Sequence, residues 1–336
     1  MKIAKWVGLA LLLILVLTLV SWRAKPTLTP SPTPNADPLA ITYMRTQTYP
    51  GSPLQLEQTL PEKPSYKLSI VSYRSEGLKI YGLLAVPKGE RPPGGWPAIV
   101  FNHGYIDPKV YRTDERYIEY VNSLASAGYV VFKPDYRGNG KSEGKPGGPY
   151  YTPGYVIDDL NALSSLKQYP DVNPNKIGMW GHSMGGNVTL RALVTNTTDI
   201  KAAVIWGGVV GSYDQIMNHW QSVVTYQPDA TDLKLRNLNL ETLISQHGTP
   251  STDPAYWDAI DPTSHLGDIE TPIQLATGGA DPNVPIAFST ALYDKLKAAG
   301  KIVEYYNYPK GDHNIDPPQY ELAMQRTIAF FDKYLK

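Results

Sequence analysis

The stretch WGHSMGGNVTL, residues 180–190, constrains the fold of this chain more than any other. A strand-like run, KIGMWG (176–181), meets two glycines, a histidine and a serine, and helical patterning follows from 185 to 195. Glycine weakens strand and helix interiors alike, so Gly185 and Gly186 must answer a local steric demand. Gly181-His182-Ser183-Met184-Gly185 is G-x-S-x-G set between a strand and a helix, the context that gives the pattern meaning. There the serine sits on a sharp, strained turn, and a side chain at Gly181 or Gly185 would collide with its surroundings. The turn lifts the Ser183 hydroxyl above a sheet and aims a helix N-terminus at it. That end favours the negative charge of an acyl-transfer intermediate.

A serine hydroxyl is a poor nucleophile without a base, so the chain must supply a histidine and an acid. Six histidines are available. His182 adjoins the serine and must point away from it; His103 precedes it; His219, His247 and His265 lie in no sharp motif. His313, in YPKGDHNID after a strand and before the last helix, is the best base. Asp281 ends a strand at TGGADPNVP and is the best acid, whereas Asp312 is a chain neighbour of His313 and badly placed to orient it. Two backbone N–H groups should complete an oxyanion hole. One belongs to Met184, the other to Tyr105, which follows the glycine turn in FNHGYI after the third strand.

Around these motifs strand and helix alternate. Strands are expected at 66–73, 78–86, 97–104, 128–135, 176–181, 201–208, 271–281 and 301–309. Helices are expected at 117–127 (with a cap at Thr113), from Val156 to Leu166, at 185–195, 288–299 and 319–334. Such alternation argues for an α/β fold with a mostly parallel central sheet flanked by helices. From 212 to 265 the rhythm breaks into aromatics and prolines, which reads as a helical, cap-like insertion over the carboxyl end of the sheet, where ligands bind.

The N-terminus stands apart. Lys2 and Lys5 precede an apolar run, Trp6 to Trp22, which reads as an export signal or an uncleaved membrane anchor over residues 1–25. PTLTPSPTPNADP then forms an extended Pro/Thr/Ser spacer over 26–40, leaving 41–336 as the working domain, outside the cytoplasmic membrane. Lys+Arg and Asp+Glu are equal at 31 each, which gives no electrostatic reason to expect nucleic acid. Cysteine is absent, which excludes disulfides, thiolate zinc sites and a cysteine nucleophile. No H-E-x-x-H or comparable cluster suggests a metal, and no cofactor is expected.

FNHGYI, DYRGNGKSEG (135–144), WGHSMGG, GGADPNVP and YPKGDH follow the order of the α/β-hydrolases. Over about residues 65–336 the chain most resembles the catalytic domain of the prolyl oligopeptidase family and its esterase relatives. The Tyr105/Met184 pair after a glycine turn is also similar to bacterial cutinases and polyester hydrolases. The resemblance implies the α/β-hydrolase fold, a Ser183-Asp281-His313 triad, and a structural role beside the site for Asp135-Tyr136-Arg137-Gly138. Large peptidases of the family carry an N-terminal β-propeller, for which the stretch 41–100 leaves no room. Some clamp the substrate's amino terminus with paired glutamates, and the insertion holds no such pair. The expectation is therefore a serine hydrolase that cleaves small carboxylic esters through an acyl-enzyme. Alternatives are a serine peptidase acting on short peptides, an acyltransferase, or an inactive binding module. Trp206, Trp220, Tyr226, Tyr256 and Trp257 are candidates to line an apolar substrate pocket, and each could equally pack the insertion onto the sheet.

Overall fold

A computed structural model describes residues 37–220 and 230–336 of the chain. The segment 1–25 lies outside the described residues, as does most of the spacer. Among the described residues no helix is long and apolar enough to cross a membrane. The spacer assignment overshoots: Leu39 and Ala40 are buried, and the Arg191 guanidinium donates to the Leu39 carbonyl at 2.9 Å. A short helix follows, α1 (Ile41–Thr46), with Ile41 and Met44 buried. Nothing local announces it; a six-residue helix with no capping side chain depends on tertiary packing.

Among the described residues nine strands form one sheet in the order β1-β2-β3-β5-β4-β6-β7-β8-β9. They are β1 (Gln55–Thr59), β2 (Tyr66–Ser75), β3 (Leu78–Pro87), β4 (Trp96–Asn102), β5 (Val130–Pro134), β6 (Val172–His182), β7 (Ala203–Trp206), β8 (Ile273–Gly278) and β9 (Val303–Tyr308). β1 is an unanticipated, wholly exposed edge strand, whose sequence QLEQT buries no face and so shows no strand-like alternation. With it counted, FNHGYI follows the fourth strand. β1, β2, β3 and β5 pair antiparallel, and from β5 to β9 every pair is parallel. β4 has β5 on one side and β6 on the other, so chain progression reverses there. The crevice beyond the carboxyl ends of β4 and β6 is where such sheets bind ligands. His103-Gly104 and Ser183 stand at those two ends.

Helices cover both faces. α2 (Ile118–Ser126) and α9 (Tyr320–Leu335) pack over one apolar cluster, with Phe101, Trp180 and Trp206 beneath them. α3 (Gly154–Lys167), α4 (Met184–Thr195) and α8 (Ile286–Ala298) pack over the other. Thr113 does not cap α2, whose N-cap is Tyr117 in a left-handed conformation; the Thr113 hydroxyl donates to the Asp135 carboxylate instead. Among its described residues the insertion is helical, comprising α5 (Tyr213–Asn218), α6 (Ala230–His247) and α7 (Pro254–Ile260), then two 3₁₀ turns at 262–264 and 266–268. Ser212 and Gln215 form a reciprocal capping box at its entry.

Candidate active site

Ser183 lies at φ 55°, ψ −120°, a conformation rarely populated by a residue with a side chain. Its amide donates to the Trp206 carbonyl at 3.0 Å, and its carbonyl accepts from the Gly186 and Val209 amides at 2.9 and 3.0 Å. Those bonds pin the turn. A Cβ at Gly185 would collide with the Asn102 carbonyl, and one at Gly181 with the Gly185 carbonyl, so both glycines are required by close backbone approach. Met184 is the first residue of α4, and an N–H in that position has no carbonyl partner within its helix. Gly104 presses against Ser183, a Cβ there falling only 3.1 Å from the Ser183 Cβ, and Tyr105 follows it into the cleft.

His313 and Asp281, 32 residues apart, meet at 2.8 Å between Nδ1 and Oδ2, with side chains 13% and 2% exposed. The other Asp281 oxygen accepts from the Asn283 and Val284 amides at 2.8 and 3.0 Å, which orients the carboxylate. Asp312 faces its own loop, accepting from the Asn314 and Asp316 amides. His313, His182, Ser183 and Tyr105 line one cleft. Sequence reasoning missed Gly207, directly after β7. A Cβ there would stand 3.3 Å from His313 Nδ1 and 3.4 Å from Asp281 Oδ2, so its missing side chain makes room for the pair. The doublet Gly207-Gly208 after an apolar strand was the available signal.

The polar interior behind the site supports the loops. Asp135 accepts from the Tyr111 hydroxyl at 2.7 Å as well as from Thr113, and burial pushes its carboxyl up to about 6. Arg137 donates to Asp158 of α3 at 2.8 Å, so this tetrapeptide ties that helix to the loop that carries Tyr111 and Thr113. His103 stacks between Tyr111 and Tyr136, and burial pushes its imidazole down to about 3. Asn102 donates to Thr189 at 3.0 Å and to Asp159 at 3.3 Å, and burial lifts Asp159 to about 8. His219, His247 and His265 line neither cleft beside Ser183. His219 is a surface residue near Asp214, His247 stacks on Tyr256, and His265 reaches the Asp258 carbonyl.

A cavity of about 70 Å3 opens beside Met184 and Tyr105, with Tyr150, Tyr155, Trp220, Leu233 and Arg236 in its lining. Among the described residues lining it there is no carboxylate. Of the expected aromatics among the described residues, Trp220 alone is in place, its indole N–H donating to the Asn283 carbonyl at 2.8 Å. Trp206 is not a pocket residue: it is fully buried beneath the sheet and donates to Thr327. Strand alternation decided this, since its side chain points to the face away from the insertion. Trp257 and Tyr256 are also corrected; both are buried within the insertion, where Trp257 packs edge-on against Tyr213 and Tyr256 donates to Asp37. Tyr226 lies outside the described residues. Tyr150 and Tyr155, which sequence reasoning missed, come from the loop and helix after DYRGNGKSEG. A run GGPYYTPGY carries no motif that separates pocket from core.

Residues 116–336 match the prolyl oligopeptidase family. A Bacillus subtilis protein named as an uncharacterized peptidase, YtmA, is 29% identical over 75% of this chain and 88% of its own length. Mouse dipeptidyl peptidase 8 is 28% identical over 76% of this chain, a match that spans only 28% of the larger protein. Among solved structures, an acetyl xylan esterase from Paenibacillus sp. R4 superposes with a TM-score of 0.63 at 21% identity, covering 88% of this chain and 92% of that one. The Pyrococcus horikoshii acylaminoacyl peptidase gives 0.63 at 22% identity, over 81% of this chain and 42% of that one. At these identities the two structures speak for a shared α/β-hydrolase fold.

Proposed function

The chain belongs to the prolyl oligopeptidase family and is a serine hydrolase, and from that premise we propose that it cleaves small carboxylic esters through an acyl-enzyme. Ser183 is the nucleophile, His313 the base and Asp281 the group that holds the imidazole. His313 takes the Ser183 proton as the oxygen attacks the ester carbonyl. The Met184 and Tyr105 N–H groups receive the developing oxyanion. His313 then returns the proton to the departing alkoxide, and the same cycle with water releases the acid.

The observation that carries the ester reading is the cavity beside Met184: walled by aromatic and aliphatic side chains and Arg236, with no carboxylate among the described residues that line it. A peptide ammonium group placed there would lose its hydration and gain no counter-charge. An apolar acyl group carries no charge to desolvate and would bury its surface against the aromatic and aliphatic walls. An amide also needs its poorer leaving group protonated and more binding energy from flanking residues. We expect kcat/KM on a nitrophenyl ester series to exceed that on matched aminoacyl and prolyl anilides by at least ~10²-fold, about 2.7 kcal/mol. Equal or better turnover of the anilides would make the protein a peptidase.

We also read residues 1–25 as an export signal or anchor. A chain starting at residue 37 should then be soluble and active, with the full-length protein exported or membrane-associated. Intact, unprocessed protein in the cytosol would overturn this.

A further inference from the structure

The chemistry is carried by three segments far apart in the chain: the Gly104–Tyr105 loop, the nucleophile turn and the His313 loop. The buried His182 ring, on the nucleophile turn, meets the His313 loop directly and the Gly104 loop through Tyr117. Its Nε2 lies 2.9 Å from the backbone carbonyl of His313, and its Nδ1 lies 2.8 Å from the Tyr117 hydroxyl. That hydroxyl accepts from the Gly104 amide at 2.9 Å. A carbonyl can only accept, so Nε2 carries the proton of the neutral ring. Nδ1 is then an acceptor, and the Tyr117 hydroxyl must donate to it. The chain of bonds therefore has one direction: Gly104 N–H to Tyr117, Tyr117 O–H to His182, His182 N–H to the His313 carbonyl.

We propose that Tyr117 and His182 are positioning residues, whose directed hydrogen bonds set the spacing between the oxyanion loop and the His313 loop on either side of Ser183. This rests on the triad reading above. A tetrahedral intermediate must be met by the Tyr105 N–H and by His313 at once, and a misplacement of about 1 Å can cost ~10²-fold in rate. The relay bridges those two requirements. A Cβ at Gly104 would stand 3.1 Å from the Ser183 Cβ and 3.3 Å from His182 Nδ1, so the loop is in direct contact with what it must align to. Tyr117 is held at φ 59°, a strained backbone for a tyrosine, which places its hydroxyl between the two loops. The relay also requires a neutral His182. Its ring centroid is 4.6 Å from that of His313, and a second cation there would oppose protonation of His313 during turnover. Burial, and after it the His313 imidazole, hold His182 down to about 3, which meets that requirement.

Tyr117→Phe removes one oxygen from the relay. Active serines are counted by labelling to completion with a fluorophosphonate, so that turnover is expressed per labelled site. The expected result is a fall in kcat of about 5- to 50-fold per labelled site, with KM within about twofold. A purely structural role would reduce the number of labelled sites and leave the turnover of each unchanged. A second pair serves where Tyr117→Phe does not fold. His182→Gln keeps a donor for the His313 carbonyl and should turn over at least about threefold faster per site than His182→Leu, which keeps none. Turnover per site within about threefold of the unaltered enzyme in Tyr117→Phe, or equal turnover in the His182 pair, overturns the proposal. Failure of the triad reading would look different, as labelling that survives Ser183→Ala.

Discussion

The strand-to-helix body that carries Ser183 and the insertion between β7 and β8 are both packed with residues that sequence reading flags, yet only the body can be decoded residue by residue. In the body a flagged residue answers a steric demand. Gly181 and Gly185 have no room for a side chain. In the insertion the flagged residues are aromatics, and the same aromatic serves equally as cavity wall or packing. Trp220 lines the cavity beside Met184, while Trp257 is buried against Tyr213. Backbone geometry restricts residue type at fixed spacing; apolar burial restricts it hardly at all.

The sharpest break of this comparison would come from the triad. Ser183→Ala and His313→Ala should each lose at least ~10³-fold in kcat, with Ser183→Ala also abolishing fluorophosphonate labelling. Substitutions at His219, His247 and His265, in the insertion or at its margin, should leave rates within about threefold. Full activity in His313→Ala would remove the base from the assignment. The next largest effect belongs to the insertion and is one of stability. Trp257→Ala should cost ~3–5 kcal/mol in urea unfolding, with kcat per labelled site nearly unchanged. A stable variant with altered substrate preference would return Trp257 to the pocket. Back in the body, Gly207→Val should lower kcat by ~10²-fold by displacing the His313–Asp281 pair. Unaltered turnover would mean the loop yields and the glycine is not needed for alignment. The smallest effect is at Trp220, where replacement by Ala should raise KM for aryl and medium-chain acyl esters about 3- to 10-fold and spare acetyl esters. An equal rise for every ester would place Trp220 outside acyl recognition.

Legibility differed along the same line. The parallel strands and their helices were readable because buried strands appear as short apolar runs bounded by glycine and proline. The α1 helix and edge strand β1 were not, since one depends on tertiary packing and the other buries no side chain. Of the site, the serine turn and the His313 and Asp281 loops could be picked out as sequence motifs. Trp206 misled because it sits at the carboxyl end of a strand beside the site, yet alternation sends its side chain to the opposite face.

The sequence alone determined where a strained serine turn must stand, because only glycine tolerates backbone approaching within van der Waals distance, and it determined which loops follow strands at the ligand-binding end. It could not determine which side chains meet across those loops. That Asp281 closes on His313, that His182 reaches the His313 carbonyl while accepting from Tyr117, and that Tyr150 and Tyr155 wall the cavity were decided by the tertiary structure. The physical reason is that a hydrogen bond between residues 32 or 131 apart leaves no periodicity or composition in the chain. It exists only once the sheet has brought the strand ends together.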